Sequence, residues 1–164
     1  MPLVTLQDWE VDWATHVGEQ RRLANRNTAN AAHYDPNRMQ SEEIASRDTC
    51  LAELAVAKFL NQYWSGSYWP RSEHEKYRHL PDVGKDIEVR RIRKRTNPLV
   101  VRERDVRADH RIVIAYVTKR LQVEVIGGAR ASEAWANGEP APYDKQGKTR
   151  LLDQVLVPRF RDNA

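Results

Sequence analysis

Pro81-Asp82-Val83-Gly84-Lys85-Asp86-Ile87-Glu88-Val89-Arg90 runs directly into Arg91-Ile92-Arg93-Lys94-Arg95. Three carboxylates, Asp82, Asp86 and Glu88, are thus set beside a dense basic run. Carboxylates this close repel one another unless a cation sits between them. A divalent metal or the neighbouring arginines must supply that charge, and both answers point toward phosphate chemistry.

From Asp86 onward the pattern has period two: Ile87 and Val89 alternate with Asp86, Glu88 and Arg90. That is a strand, with the three charged side chains expected on one face and the two aliphatic ones on the other. If the charged face is open, the strand is an ordinary amphipathic one. If it meets a helix carrying another acid, it is a charged site at the edge of a core. The place of Asp82 depends on the turn. A three-residue loop, Gly84-Lys85-Asp86, would oppose Asp82 to Glu88, whereas a two-residue loop would oppose it to Ile87 and leave Asp86 beside Glu88. Both arrangements remain open at this point.

Upstream, two helices are predicted. The first runs from about Leu6 to Arg26 with Thr5 as its N-cap, and Leu6, Trp9, Trp13 and Val17 recur at helical spacing as its buried stripe. Arg21, Arg22 and Arg26 would then extend either a DNA-binding face or a solvated surface. Asn25 to Asn37 reads as a loop. The second helix runs from about Ser41 to Gln62. Ser41, Glu42 and Glu43 suit its start, where negative charge meets the positive end of the dipole. Ile44, Leu51, Leu54, Ala55 and Phe59, widened by Ala52, Val56 and Leu60, should bury most of it. Glu53 falls in its most apolar part, where a carboxylate is costly unless paired or bound to a metal. Tyr63 to Leu80 is aromatic and irregular, and His74 and His79 flank a polar loop within it.

Downstream, Pro98 to Arg102 is a second strand and Arg111 to Val117 a third, rich in β-branched residues. Asp105 and Asp109 between them are expected in a turn. Leu121 to Ile126 follows as a hairpin partner, ended by Gly127-Gly128. Ala131 to Trp135 is a short helix, and Leu152 to Val157 is a last strand. The order defines an α/β (α+β) domain on a mixed sheet flanked by helices.

The chain has 164 residues, 30% of them charged, and a formal net charge of +4. That length suits one domain over residues 1–164, with residues 1 to about 40 as an N-terminal helical extension. The distribution of charge says more than its sum. Arg90, Arg91, Arg93, Lys94, Arg95, Arg102 and Arg104 lie close together with only Glu103 against them, the footprint of a polyanion partner. A solvated strand edge kept soluble by charge is the plainer explanation. The single cysteine, Cys50, excludes an internal disulfide and a zinc set, and fits a small core residue. No apolar run is long enough to span a bilayer, and Met1 to Trp13 lacks the pattern of a secretion signal, so a cytoplasmic protein with no membrane partner is expected.

An acidic helix residue, then Pro-Asp, a short turn and Glu-x-Lys on the next strand resembles the PD-(D/E)xK nuclease superfamily, with its restriction-endonuclease-like fold. The matching residues are Glu53 in Ala52-Glu53-Leu54, then Pro81-Asp82, then Glu88-Val89-Arg90. The resemblance extends over roughly Glu43 to Trp135, and the wording of the chain is similar to that of small phage-encoded proteins. It implies a metal-dependent phosphodiesterase acting on DNA. Asp82, Glu88 and the Val89 carbonyl would hold Mg²⁺ or Mn²⁺, and Glu53 would anchor a metal-bound water or a second metal. The metal would polarise the scissile phosphate and lower the pKa of bound water. Arg91, Arg93, Lys94, Arg95, Arg102 and Arg104 would hold the nucleic-acid backbone. Double-strand cleavage would favour a homodimer.

Arg90 stands where the family has lysine. Arginine keeps the charge and can clamp a phosphate, so it is expected as the transition-state cation, but it cannot shed a proton near neutral pH. The same acids and bases also suit a lattice of structural salt bridges, with Asp86 paired to Arg102 or Arg104, and a nuclease scaffold that binds nucleic acid or protein without cutting.

Overall fold

The computed structural model describes residues 1–25 and 41–162. The expected Asn25–Asn37 loop, beyond Asn25 itself, and Arg26 therefore lie outside the described residues. The elements in chain order are β1 (Leu3–Val4), α1 (Asp8–Asn25), α2 (Glu42–Phe59), α3 (His74–Tyr77), β2 (Ile87–Ile92), β3 (Leu99–Arg102), α4 (Glu103–Arg107), β4 (Arg111–Val117), β5 (Val123–Arg130), α5 (Ala131–Asn137), β6 (Glu139–Pro140) and β7 (Thr149–Leu152). Helices and two sheets in this order make a mixed α+β structure. No helix among the described residues is long and apolar enough to cross a membrane.

α2 begins as the sequence dictates. The Ser41 hydroxyl accepts from the Ile44 N–H at 3.3 Å, and Glu42 and Glu43 occupy the first turn. Residues Cys50 through Ala57 are all buried, so this helix is the central rod of the molecule. α1 lies along it, but not by its tryptophans. Ala14, Val17 and Gly18 face inward, while Trp9 is 63% exposed and Trp13 37%. The reason is the separation of the two helices. A Cβ on Gly18 would stand 2.8 Å from the Ser46 carbonyl oxygen, so only small residues fit at the crossing. The tryptophans are left outside, Trp9 stacked on Trp13 and Trp13 edge-on to the buried Trp64 at 4.7 Å. Nor does Thr5 cap α1. Glu10 reaches back to accept from the Gln7 N–H, and it also takes Lys58 from α2 at 2.9 Å. α1 thus contributes to the same apolar cluster as α2.

The larger sheet has the order β1-β5-β4-β2. β5 is antiparallel to β1 and β4, and β2 is parallel to β4. Alternate residues feed opposite layers. Ile87, Val89, Val113 and Ala115 meet α1 and α2, while Ile92, Ile112 and Ile114 meet a second cluster with β3, β7 and α5. The strand expected at Pro98–Arg102 forms, but in the smaller sheet, order β3-β7-β6. A parallel β2–β4 pair needs a crossover, and β3 with α4 is that excursion.

Two expected ends move. Gly127-Gly128 does not stop β5, which continues to Arg130 opposite Arg111. A Cβ on Gly127 would lie 2.2 Å from the Pro158 carbonyl oxygen, so the glycines admit the C-terminal segment against the strand. The last strand lies at Thr149–Leu152 rather than Leu152–Val157, because Asp153 caps a tight turn by accepting from the Val155 N–H at 3.0 Å.

Candidate active site

The turn before β2 has three residues. Val83 and Ile87 exchange backbone hydrogen bonds at 3.0 and 3.1 Å, and Gly84 takes φ +58°, which favours glycine. Asp82 therefore stands opposite Glu88, the first of the two arrangements left open above. Asp86 lies in the turn itself and gives its carbonyl to the Arg111 N–H. The acid that meets the charged face of β2 is Asp105, which belongs to α4 and is 1% exposed, not an irregular turn residue.

Asp82 accepts from the Val89 N–H at 2.8 Å through Oδ2. Its carboxyl pKa is pushed well above the ordinary aspartate value. Burial is the main cause, followed by Glu53 and Glu88; the Val89 N–H and Arg90 oppose it. Glu53 and Glu88 thus both act on Asp82. Glu53, 2% exposed, is nevertheless already satisfied. Arg21 Nη1 donates to its two oxygens at 2.8 and 3.0 Å, and Trp64 Nε1 donates to Oε2 at 2.9 Å. Burial disfavours the Arg21 cation, but Glu53, Cys50 and Asp82 together outweigh it and the guanidinium pKa rises. Arg21 also donates through Nε to the Ser67 carbonyl, so it is a half-buried strut with its charge engaged, while Arg22 pairs with Glu19. Cys50 is a core thiol, its pKa pushed up to about 12 by burial.

Glu88 is buried at the middle of the site. Its Oε2 accepts from Arg90 Nη1 at 2.8 Å, and its Oε1 lies 3.8 Å from His110 Nδ1. Arg90 is spent on the protein. Nη2 donates to Asp105 at 2.7 Å and Nε to the Val100 carbonyl at 3.3 Å. Burial alone would lower its pKa, but Asp105 and Glu88 raise it. It does not line the adjoining cleft of about 210 Å³, whose walls include Arg21, Arg78, Asp82, Glu88, Arg104 and His74. A smaller cavity of about 120 Å³ shares Arg78, Glu88 and Arg104 with that cleft and adds His79, Asp105 and His110.

The rest of the basic run is dispersed. Arg91 and Arg93 line a separate depression with Arg47, Asp48 and Tyr116, toward the far end of β2. Burial lowers the Arg91 pKa, and Asp48 opposes this. Lys94 is exposed. Arg95 pairs with Glu124 at 2.7 Å and lies over the Tyr116 ring. Arg102 is exposed, and its backbone N–H is held by Asp105. Of the six residues expected to hold the nucleic-acid backbone, only Arg104 lines the cleft. Arg78, Asp105 and His110 are the site residues that sequence reasoning passed over. Only position hints at them, since Asp105 and His110 bracket the entry to β4.

Among the described residues, no three His, Cys, Asp or Glu side chains gather closely enough to form a metal cage unaided. What the site offers is two opposed carboxylates, a row of arginines and an orphaned imidazole nitrogen, which suits an ion that keeps waters and takes phosphate oxygens as its other ligands. No family model matches the chain, and neither does any curated protein or solved structure.

Proposed function

We propose that this chain is a metal-dependent nuclease of restriction-endonuclease-like fold that hydrolyses DNA phosphodiester bonds. The observation that carries the reading is the opposition of Asp82 and Glu88 across a three-residue turn, on the edge strand of a mixed sheet and at the wall of an arginine-lined cleft. Two carboxylates held together with a raised Asp82 pKa are a poor arrangement for a bare protein and a good one for a divalent cation.

Pro81 adds to this. In the register set by Val83 and Ile87 it stands opposite Val89, and it has no N–H to offer the Val89 carbonyl. Asp82 takes the Val89 N–H instead. The carbonyl of the same residue leaves the strand on the same side, toward the acids. Asp82, Glu88 and this carbonyl would hold Mg²⁺ or Mn²⁺. When bound, the ion polarises the scissile phosphate and makes water a better nucleophile. Arg78 and Arg104 border Glu88 from both cavities and would hold the phosphates on either side of the scissile one. Arg90 fixes the Glu88 carboxylate in place, and Glu53 fixes Arg21 at the cleft wall.

The test is incubation with labelled single- and double-stranded DNA, with and without Mg²⁺ or Mn²⁺. Cleavage is expected only with metal, and Glu88→Gln, which still accepts from Arg90, is expected to abolish it. DNA bound but uncut by the wild type under these conditions removes the enzyme. One observation favours a second reading, a nuclease scaffold that binds without cutting: Arg90 has Glu88 and Asp105 as partners and so withholds its charge from the cleft. Such a scaffold would show no rise in melting temperature with Mn²⁺ or Mg²⁺, whereas a bound ion stabilises the native state by mass action.

A further inference from the structure

We propose that His110 Nδ1 and Glu88 share a divalent ion whose other ligands are water and phosphate oxygens, a mixed nitrogen–oxygen site that prefers a first-row transition ion such as Mn²⁺ to Mg²⁺. This deepens the nuclease reading and rests on it.

His110 is 6% exposed, and its Nδ1 is a buried side-chain atom without a hydrogen-bond partner among the described residues. A buried polar atom left unpaired costs free energy and commonly marks a missing water or ion. The backbone of His110 is held from both sides. The His110 N–H donates to the Asp105 carbonyl at 3.0 Å, and the His110 carbonyl accepts from Ala131 at 2.8 Å. The carboxylate nearest that nitrogen is Glu88, and the two Glu88 oxygens differ. Oε2 is engaged by Arg90, while Oε1 faces Nδ1 at 3.8 Å.

That separation is too long for a hydrogen bond. It lies within the range of about 3.0 to 4.2 Å that two ligands span, from right-angled to opposed, when each is about 2.1 Å from one ion. The cavity bordering both residues, about 120 Å³, has room for an ion and several waters. At Asp105, Arg90 and the Arg102 N–H both bind Oδ2. His79 borders the same cavity and is the control. Oxygen donors alone suit Mg²⁺, while imidazole favours first-row transition ions, so one nitrogen donor shifts the preference.

The experiment is Mn²⁺ titration followed by electron paramagnetic resonance, with pulsed detection of nitrogen coupled to the bound ion. Wild type and His79→Gln are expected to show one coupled imidazole nitrogen, and His110→Gln to show none. His110→Gln should also lose at least about tenfold in Mn²⁺ affinity while its Mg²⁺ affinity changes much less. If His110→Gln does not fold, histidine labelled with ¹⁵N in the wild type and in His79→Gln answers the question, because the label alters the modulation only if imidazole is bound. Mn²⁺ bound without nitrogen coupling, or coupling that survives His110→Gln, overturns the inference while metal-dependent cleavage still stands. Absence of any Mn²⁺ binding overturns the inference and the metal site together.

Discussion

Glu53 and Asp82 show two ways of keeping a carboxylate inside a protein. Glu53 is neutralised by Arg21 and takes a further hydrogen bond from Trp64, and losing the arginine would strand a buried charge at a cost of about 3 kcal/mol. Asp82 has only a backbone N–H and a more distant arginine, so its proton is held more tightly in the folded chain than in the unfolded one. Where that is so the native state binds more protons, and stability falls as pH rises. The contribution is complete below the ordinary aspartate pKa of about 3.9 and is lost as pH climbs through the raised folded value. With metal chelated, the urea midpoint of wild type is therefore expected to drop more steeply than that of Asp82→Asn as pH rises from 4 toward neutrality, and Mn²⁺ should reverse the loss. Parallel midpoint curves for the two proteins would refute this. The sequence marks both acids, since one interrupts an apolar helix and the other follows a proline. It does not mark Arg21, which stands 32 residues from Glu53, or Asp105, whose helix is only five residues long. Long-range pairing leaves no local trace.

At the scale of elements, what could be read was whatever is set by neighbours in the chain. The Ser41 cap, the apolar breadth of α2, the alternation of β2 and the β-branched run of β4 each declare themselves locally. The errors arise where a distant segment decides. Periodicity found the Trp9–Trp13 stripe, but the close crossing at Gly18 determined which face of α1 turns inward. Likewise Gly127 ends nothing, because Gly128 donates to the Pro158 carbonyl and Phe160 to that of Ile126, laying the C-terminal segment along β5. Gly127→Ala would force a methyl into the Pro158 carbonyl and is expected to cost about 2 kcal/mol. Calorimetry should find a lowered Tm, and an unchanged one would mean that the segment can lift away without loss.

At the scale of the molecule, charge is organised by place rather than by sum. The basic run looks continuous in the chain, yet alternation and the β3–α4 excursion send Arg90 inward, Arg91 and Arg93 to one end, and Arg104 to the cleft. Arg78 joins it from a segment outside the run. Removing Arg78 or Arg104 is therefore expected to reduce the salt dependence of DNA binding by about one unit of log–log slope each, while Arg93→Ala leaves it nearly unchanged. Binding measured over a series of salt concentrations decides between these outcomes, and equal losses for all three would favour a diffuse basic surface.

β1 lies beside β5, so that Thr5 takes a hydrogen bond from Gln122 across 117 positions of chain, and β2 reaches β4 only after an intervening sheet strand and helix. Contacts of such long sequence separation must overcome loop-closure entropy before they contribute anything, which slows folding. The opposed acids come together only within that finished sheet. If the proposed divalent ion binds there, it meets the acids only after the rate-limiting search, so it would prolong the lifetime of the native state and do little to hasten its formation.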